Sequence, residues 1–234
     1  MTAVRYVDLD GAEPDEAVVV IDVLRAFTVQ AWMFARGVER LFAVAERGHA
    51  LALRDGPLGG ALLAGEHGGR PFPGFDLGNS PTEVSERDLT GATVVHRTSA
   101  GTQGLVRTAG SGAVFAASFV TAGATARVLR ALRPGRVTFV VTGASLGRDG
   151  DEDLAAAELI AARLQGQDPD PASHLARIAT SDAGALFHDD GPDWAPPSDM
   201  ALASELDRFA YAIRAEPADD LDGVIATRTV TADG

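Results

Sequence analysis

Short apolar runs rich in β-branched residues alternate with stretches of helical spacing along most of the chain. Ala17-Val-Val-Val-Ile-Asp22 has no polar position before its final aspartate, the pattern of a strand covered on both faces. Residues 25–36 then carry helical periodicity, with Gly37 placed to stop it. Residues 41–44, 61–64, 92–95, 113–116 and 136–141 are predicted as further strands, and 46–54, 101–108, 121–132 and 151–164 as helices. Between the third strand and the fourth lies a glycine- and proline-rich loop, 65–81. Such alternation predicts an α/β protein: three α/β/α layers around a largely parallel or mixed sheet, with two strand–helix series that suit related halves.

Past Gly166 the texture changes. A helix is predicted over 168–187, a proline-rich break over 191–197, a second helix over 199–214 and a last strand within 221–230. With no clean linker in sight, one domain spanning 1–234 is expected, its motif-bearing core at about 17–165 and a helical C-terminal subregion at about 167–234.

Composition narrows the function. The formal net charge of −13 removes the basic footprint that nucleic-acid binding needs, and disfavours an anionic membrane surface. A small anionic substrate stays compatible, provided a metal ion or a few arginines make a local cationic pocket. All 20 basic residues are arginine, which excludes a P-loop lysine and Schiff-base chemistry. The absence of cysteine excludes disulfides, thiol nucleophiles and thiolate metal sites. Residues 1–10 are polar and acidic, unlike a signal peptide, and no apolar run is long enough to span a bilayer, so the cytoplasm is the expected compartment. A homodimer is the expected assembly, C2 being the commonest symmetry.

Ligands of open α/β sheets gather at the carboxyl ends of strands. Asp22, Gly65-Glu66, the turn Thr98–Thr102 and the segment Gly143–Asp153 all follow predicted strands and are expected to converge. Asp22 offers a metal ligand or nucleophile, against the plainer role of a helix cap. Arg25 suits a bidentate grip on phosphate or sulfonate, or is a solvated first-turn arginine. In the loop, Glu66, Asp76 and Asn79 supply the oxygen ligands that magnesium prefers, among glycines that let backbone approach a ligand. Ser80 caps the helix expected near Thr82 and offers a hydroxyl to substrate. Ser99, Gly101 and Thr102 open a helix, a natural anion site, although capping alone explains them. Glu152 and Asp153, beside Asp151, complement a helix dipole or share a cation.

In order, Asp22-Val-Leu-Arg25-Ala-Phe-Thr28, Gly65-Glu66, Gly74-Phe-Asp-Leu-Gly-Asn-Ser-Pro81, Thr98-Ser-Ala-Gly-Thr102, Ala117-Ser-Phe119 and Glu152-Asp153 resemble the 2-phosphosulfolactate phosphatases, across residues 18–164. The resemblance implies an α/β fold and a magnesium-dependent enzyme that removes phosphate from 2-phospho-3-sulfolactate on a route to coenzyme M. For such chemistry Asp22, Asp76, Glu152 and Asp153 are expected among the magnesium ligands, with Glu66 a nearby alternative, and Asp22, Arg25 and Asp76 in catalysis. Asn79, Ser80, Ser99, Gly101 and Thr102 would meet substrate. The chain departs from the family pattern at Ala100, where asparagine is usual, at Phe27 for threonine and at Glu158 for glycine. The alternative reading is a catalytically altered small-molecule binding or regulatory protein on the same scaffold.

Overall fold

The computed structural model describes residues 2–218 and 220–230. Among these residues ten strands form one sheet: β1 (Ala3–Asp8), β2 (Ala17–Ile21), β3 (Arg40–Ala43), β4 (Leu62–His67), β5 (Arg70–Pro71), β6 (Thr93–Arg97), β7 (Val114–Ala117), β8 (Arg136–Val141), β9 (Ala212–Pro217) and β10 (Val224–Thr229). Eight helices among the described residues pack with it: α1 (Ala26–Ala35), α2 (Arg47–Asp55), α3 (Pro81–Ser85), α4 (Gly101–Thr108), α5 (Ala122–Leu132), α6 (Asp151–Leu164), α7 (Ala172–Thr180) and α8 (Pro197–Ala203).

The sheet order is β1-β8-β2-β7-β9-β10-β3-β6-β4-β5. β1, β8, β2 and β7 are mutually parallel, and so are β3, β6 and β4. The hairpin β9–β10 stands between the two groups and is antiparallel to both neighbours. The two parallel groups therefore run in opposite directions, and the sheet is mixed with three layers.

β2 explains why the apolar run at 17–21 has no polar position. Its residues alternate between two cores, as the two-residue period of a strand requires. Val18 and Val20 pack with α1 and with Leu105 of α4, whereas Ala17, Val19 and Ile21 pack with the apolar faces of α5 and α6. A third cluster joins Phe42, Leu63 and Val95 to Ala50 and Leu53 of α2.

Three differences from the predicted elements have local causes. β1 lacks an apolar signature because it is an edge strand, paired only with β8 and with Ala3, Arg5, Tyr6 and Asp8 exposed. The helix predicted over 168–187 stops at Thr180: Ser181 turns its hydroxyl back to Ile178 O, and a Cβ at Gly184 would lie 1.9 Å from that same carbonyl. The helix predicted over 199–214 ends at Ala203, Asp207 adopts a left-handed φ of 55°, and β9 follows. The C-terminal subregion is thus not purely helical, since it supplies the two strands at the middle of the sheet.

Candidate active site

In a flat sheet of this topology the carboxyl ends of β2 and β6 would lie on opposite edges. They nevertheless meet, because Asp22 Oδ2 accepts a hydrogen bond from Gly101 N at 3.1 Å. Twist of roughly 20–25° per strand, accumulated over the intervening strands, turns one set of ends toward the other. The contact needs glycine: a Cβ at position 101 would lie 2.7 Å from Asp22 Oδ2 and 3.1 Å from Phe27 Cζ. Here Phe27, one of the departures from the family pattern, fills the fully buried space under the site.

A small pocket opens at this junction, lined by Asp22, Leu24, Arg25, Glu66, Gly69, Asn79, Ser99, Ala100 and Arg148. The hydrogen bonds to its carboxylates come from backbone amides and the Ser99 hydroxyl, not from guanidiniums. Asp22 Oδ1 accepts from Ala26 N at 2.9 Å, a bond that also starts α1. Glu66 Oε1 accepts from Ser99 N at 2.6 Å, and its Oε2 from Gly69 N and Ser99 Oγ. Gly65 positions this glutamate; its φ is 148° and a Cβ there would lie 1.9 Å from Arg97 O, so only glycine lets β4 pass β6 so closely.

Behind Asp22 stand the acids that open α6. Asp153 Oδ1 accepts from Val23 N at 2.7 Å, and Oδ2 accepts from Gly143 N at 2.8 Å and Thr142 Oγ1 at 3.3 Å. Glu152 is 2% exposed, and its Oε2 is buried with no hydrogen-bond partner among the described residues. Burial pushes the Asp22 carboxyl up to about 6, with Glu66 and Glu152 adding repulsion and Ala26 N and Arg148 opposing it. Burial likewise holds Asp153 well above the usual carboxylate range, reinforced by Glu152 and Asp22, and raises Glu152. Asp151 is apart from these two: it pairs with Arg177, which also reaches Glu158, so the residue at the third family departure ties α6 to α7 away from the pocket.

Arg25 is committed within the protein. Its guanidinium donates to Asp199 Oδ2 at 2.7 Å, to Gly69 O at 2.9 Å and to Trp194 O, and it lies over the rings of Phe187 and Trp194. Gly69 makes room for this strap, since a Cβ there would lie 2.5 Å from the Trp194 ring. Sequence reasoning missed Phe187, Trp194 and Asp199, which come from the region read as helix and break.

Asn79 reaches the pocket on a buried relay. Its Oδ1 pairs with His96 Nε2 at 3.1 Å, and His96 Nδ1 pairs with Gln30 Nε2 at 3.2 Å. An amide oxygen only accepts, so Nε2 carries the ring proton and Nδ1 accepts from Gln30. Burial pushes His96 down to about 3, which keeps it neutral.

The remaining sequence candidates are placed elsewhere. Asp76 is exposed, and its Oδ2 accepts from Leu63 N at 2.8 Å, near the start of β4 and about 10 Å along the strand from Glu66. The structure thus holds Asp76 as a cap on the loop against β4, not beside Asp22. Ser80 caps α3 through Glu83 N and donates to Asp199 Oδ1 at 2.6 Å, and Thr102 closes a reciprocal pair with Thr98. Arg148 was not singled out from the sequence; its one cation among the acids of 149–153 was the available signal.

No three His, Cys, Asp or Glu side chains among the described residues come together as a ligand set for one metal ion. The donor chemistry still fits magnesium, which binds oxygen through one or two carboxylates plus substrate phosphate and water rather than through a full protein cage. The unpartnered Glu152 Oε2 and the raised Asp22 are the features that such an ion would satisfy.

The family model for 2-phosphosulpholactate phosphatase matches residues 5–189. The chain belongs to this family. A probable 2-phosphosulfolactate phosphatase of Deinococcus radiodurans is 37% identical over 208 residues, 86% of this chain and 85% of the relative. One of a Synechococcus species (strain RCC307) is 33% identical over 197 residues, 83% of this chain and 79% of the relative. That of Carboxydothermus hydrogenoformans is 43% identical over a shorter 121 residues, 52% of this chain and 49% of the relative. The matched span takes in the pocket residues Asp22 to Arg148 together with Glu152 and Asp153. No helix among the described residues is long and apolar enough to cross a membrane.

Proposed function

We propose that this protein is a magnesium-dependent phosphatase acting on a small phosphorylated hydroxy acid, with 2-phospho-3-sulfolactate as its substrate. The observation that carries the reading is the junction itself: Asp22, Glu66 and Asn79 line one pocket, Glu152 and Asp153 stand behind it, and α4 starts at its wall. Phosphoryl transfer asks mainly for positioning and for neutralised charge, and these residues supply the parts.

Asp22 and Glu152 are the side chains that would hold the ion, with Glu66 and Asp153 alongside. When bound there, magnesium supplies neutralisation of phosphoryl oxygen charge and a more acidic water. The protein's own groups do the rest. Backbone amides of Ala26 and Gly101 fix both oxygens of Asp22, so the carboxylate meets substrate without reorganising. Asn79, with its oxygen committed to His96, turns its amide nitrogen to substrate. The N-terminus of α4 adds the positive end of its dipole.

The test is phosphate release from a panel of phosphomonoesters with and without magnesium. Magnesium-stimulated turnover with a preference for phosphorylated hydroxy acids is expected; no release from any ester would set the reading aside. Ala100 favours one competing reading, a binding or regulatory protein, because it lines the pocket where the family pattern has an amide. Under that reading the panel gives no turnover, while sulfolactate still binds.

A further inference from the structure

The inner pocket is about 40 Å³, room for one small headgroup, and it is lined by carboxylates. It shares Ser99 and Arg148 with a wider cleft of about 430 Å³, whose other lining residues are His67, Gly68, Arg97 and Leu186. The wider cleft carries no carboxylate in its lining and two guanidiniums. Arg97 is anchored: Nε donates to Ala45 O at 3.0 Å, one terminal nitrogen to Glu66 O at 3.1 Å, and the group lies over the Phe72 ring. Carbonyls and a ring fix its direction, and it forms no ion pair among the described residues. Arg148 is half-buried and makes no hydrogen bond or ion pair among the described residues. Neither arginine forms an ion pair among the described residues, although the charge of Arg148 also reaches Asp22 and Glu152 and so links the cleft to the inner pocket. In a chain of net charge −13, two such guanidiniums facing one cleft are a preorganised anion site. Arg25 does not compete for this role, because Asp199 and two carbonyls already hold it.

We propose that Arg148 and Arg97 form a second anion subsite that takes the sulfonate of the substrate, so that the enzyme selects doubly headed phosphorylated acids. The inference rests on the function proposed above. Substrate chemistry sets the orientation. The carboxylate sits on the phosphate-bearing carbon and must stay near the inner pocket. The sulfonate sits one carbon further and reaches the wider cleft. Leu186 supplies an apolar wall along which that carbon passes.

The test is steady-state kinetics of the full chain with magnesium on 2-phospho-3-sulfolactate and on 2-phospholactate, which differs by lacking the sulfonate. For Arg148→Met the ratio of kcat/KM between the two esters is expected to fall about 10–100-fold, mainly through KM, as loss of a charge-assisted bond predicts. Arg148→Lys should restore part of the ratio. An unchanged ratio in Arg148→Met would overturn the subsite even though turnover proves the phosphatase. If the wild-type chain hydrolyses neither ester, the failure belongs to the proposed function, and titration with sulfolactate tests the subsite alone. Binding at least about tenfold weaker in Arg148→Met supports it; equal binding, or none by either protein, overturns it.

Discussion

Asp15 and Asp22 flank the same strand, one before β2 and one after it, and their environments pull them in opposite directions. Asp15 receives a bidentate guanidinium from Arg136 and a hydroxyl from Thr138, and its carboxyl lies well below the usual range. Asp22 receives only backbone amides, is buried, and faces Glu66 and Glu152, so its carboxyl is pushed up to about 6. One end of the strand is closed by a finished ion pair. The other keeps a carboxylate with no ion pair among the described residues, opposed only by the charge of Arg148 across the pocket, which is what a site awaiting an ion and an anionic substrate requires. The same contrast separates Arg136, closed in an ion pair with Asp15, from Arg148, which forms no ion pair among the described residues and acts on Asp22 and Glu152 only through its charge.

Breaking the functional end should have the largest effect. Asp22→Asn is expected to lower magnesium-dependent kcat by at least about 10²-fold, and Asp15→Asn to leave kcat within about threefold, measured by phosphate release. A comparable loss in both would mean that the strand, not the site, was damaged. Next is the strap over the pocket: Arg25→Met leaves Asp199 buried and unpaired, and should destabilise the protein by about 3–5 kcal/mol in urea unfolding. A loss below about 1 kcal/mol would show the pair to be dispensable.

The pH dependence sharpens the contrast without substrate. In chelator-treated protein, the raised Asp22 takes up a proton in the folded state first, so stability rises as pH falls through about 6, by an amount on the order of 2 kcal/mol. The depressed Asp15 acts the other way: its contribution is present above its ordinary value and is lost as pH falls below about 4. Unfolding curves from pH 7.5 to 3 should therefore show a maximum between these limits. Asp22→Asn should flatten the upper limb and Asp15→Asn the lower; a monotonic wild-type profile would contradict the pairing of opposed shifts. The smallest effect is expected at Ala100, the uncapped N-cap of α4. Ala100→Asn should add about 0.5–2 kcal/mol by capping, read as a higher midpoint of unfolding.

Much of the fold was legible because burial writes itself into local patterns. The uninterrupted apolar run at 17–21 announced a strand with cores on both faces, and Asp22 at its end stood out because a carboxylate there is costly. The close approaches at Gly65 to Arg97 O and at Gly101 to Asp22 come from packing between distant segments and were not read from the sequence. Residues 199–214 misled because apolar spacing does not register a left-handed residue such as Asp207, which turns to cap Gly123 N and pair with Arg163. In the loop 74–81, the sequence reading gave Asp76 to metal and catalysis and Asn79 and Ser80 to substrate, all at one site. Only packing separated Asn79, buried on His96, from Asp76, tied to Leu63 N, and from Ser80, tied to Asp199.

The sequence by itself determined the alternation of strands and helices, the family and the set of acids from which a site would be drawn. Those depend on local periodicity and on motif order, both written along the chain. The tertiary structure alone decided which acids share a pocket. The central hairpin reverses one parallel group against the other, and sheet twist then brings the end of β2 to the end of β6. It also decided the fate of the arginines. Whether a guanidinium is paired depends on carbonyls and carboxylates from distant segments, and these claim Arg25 while leaving Arg148 without an ion pair among the described residues.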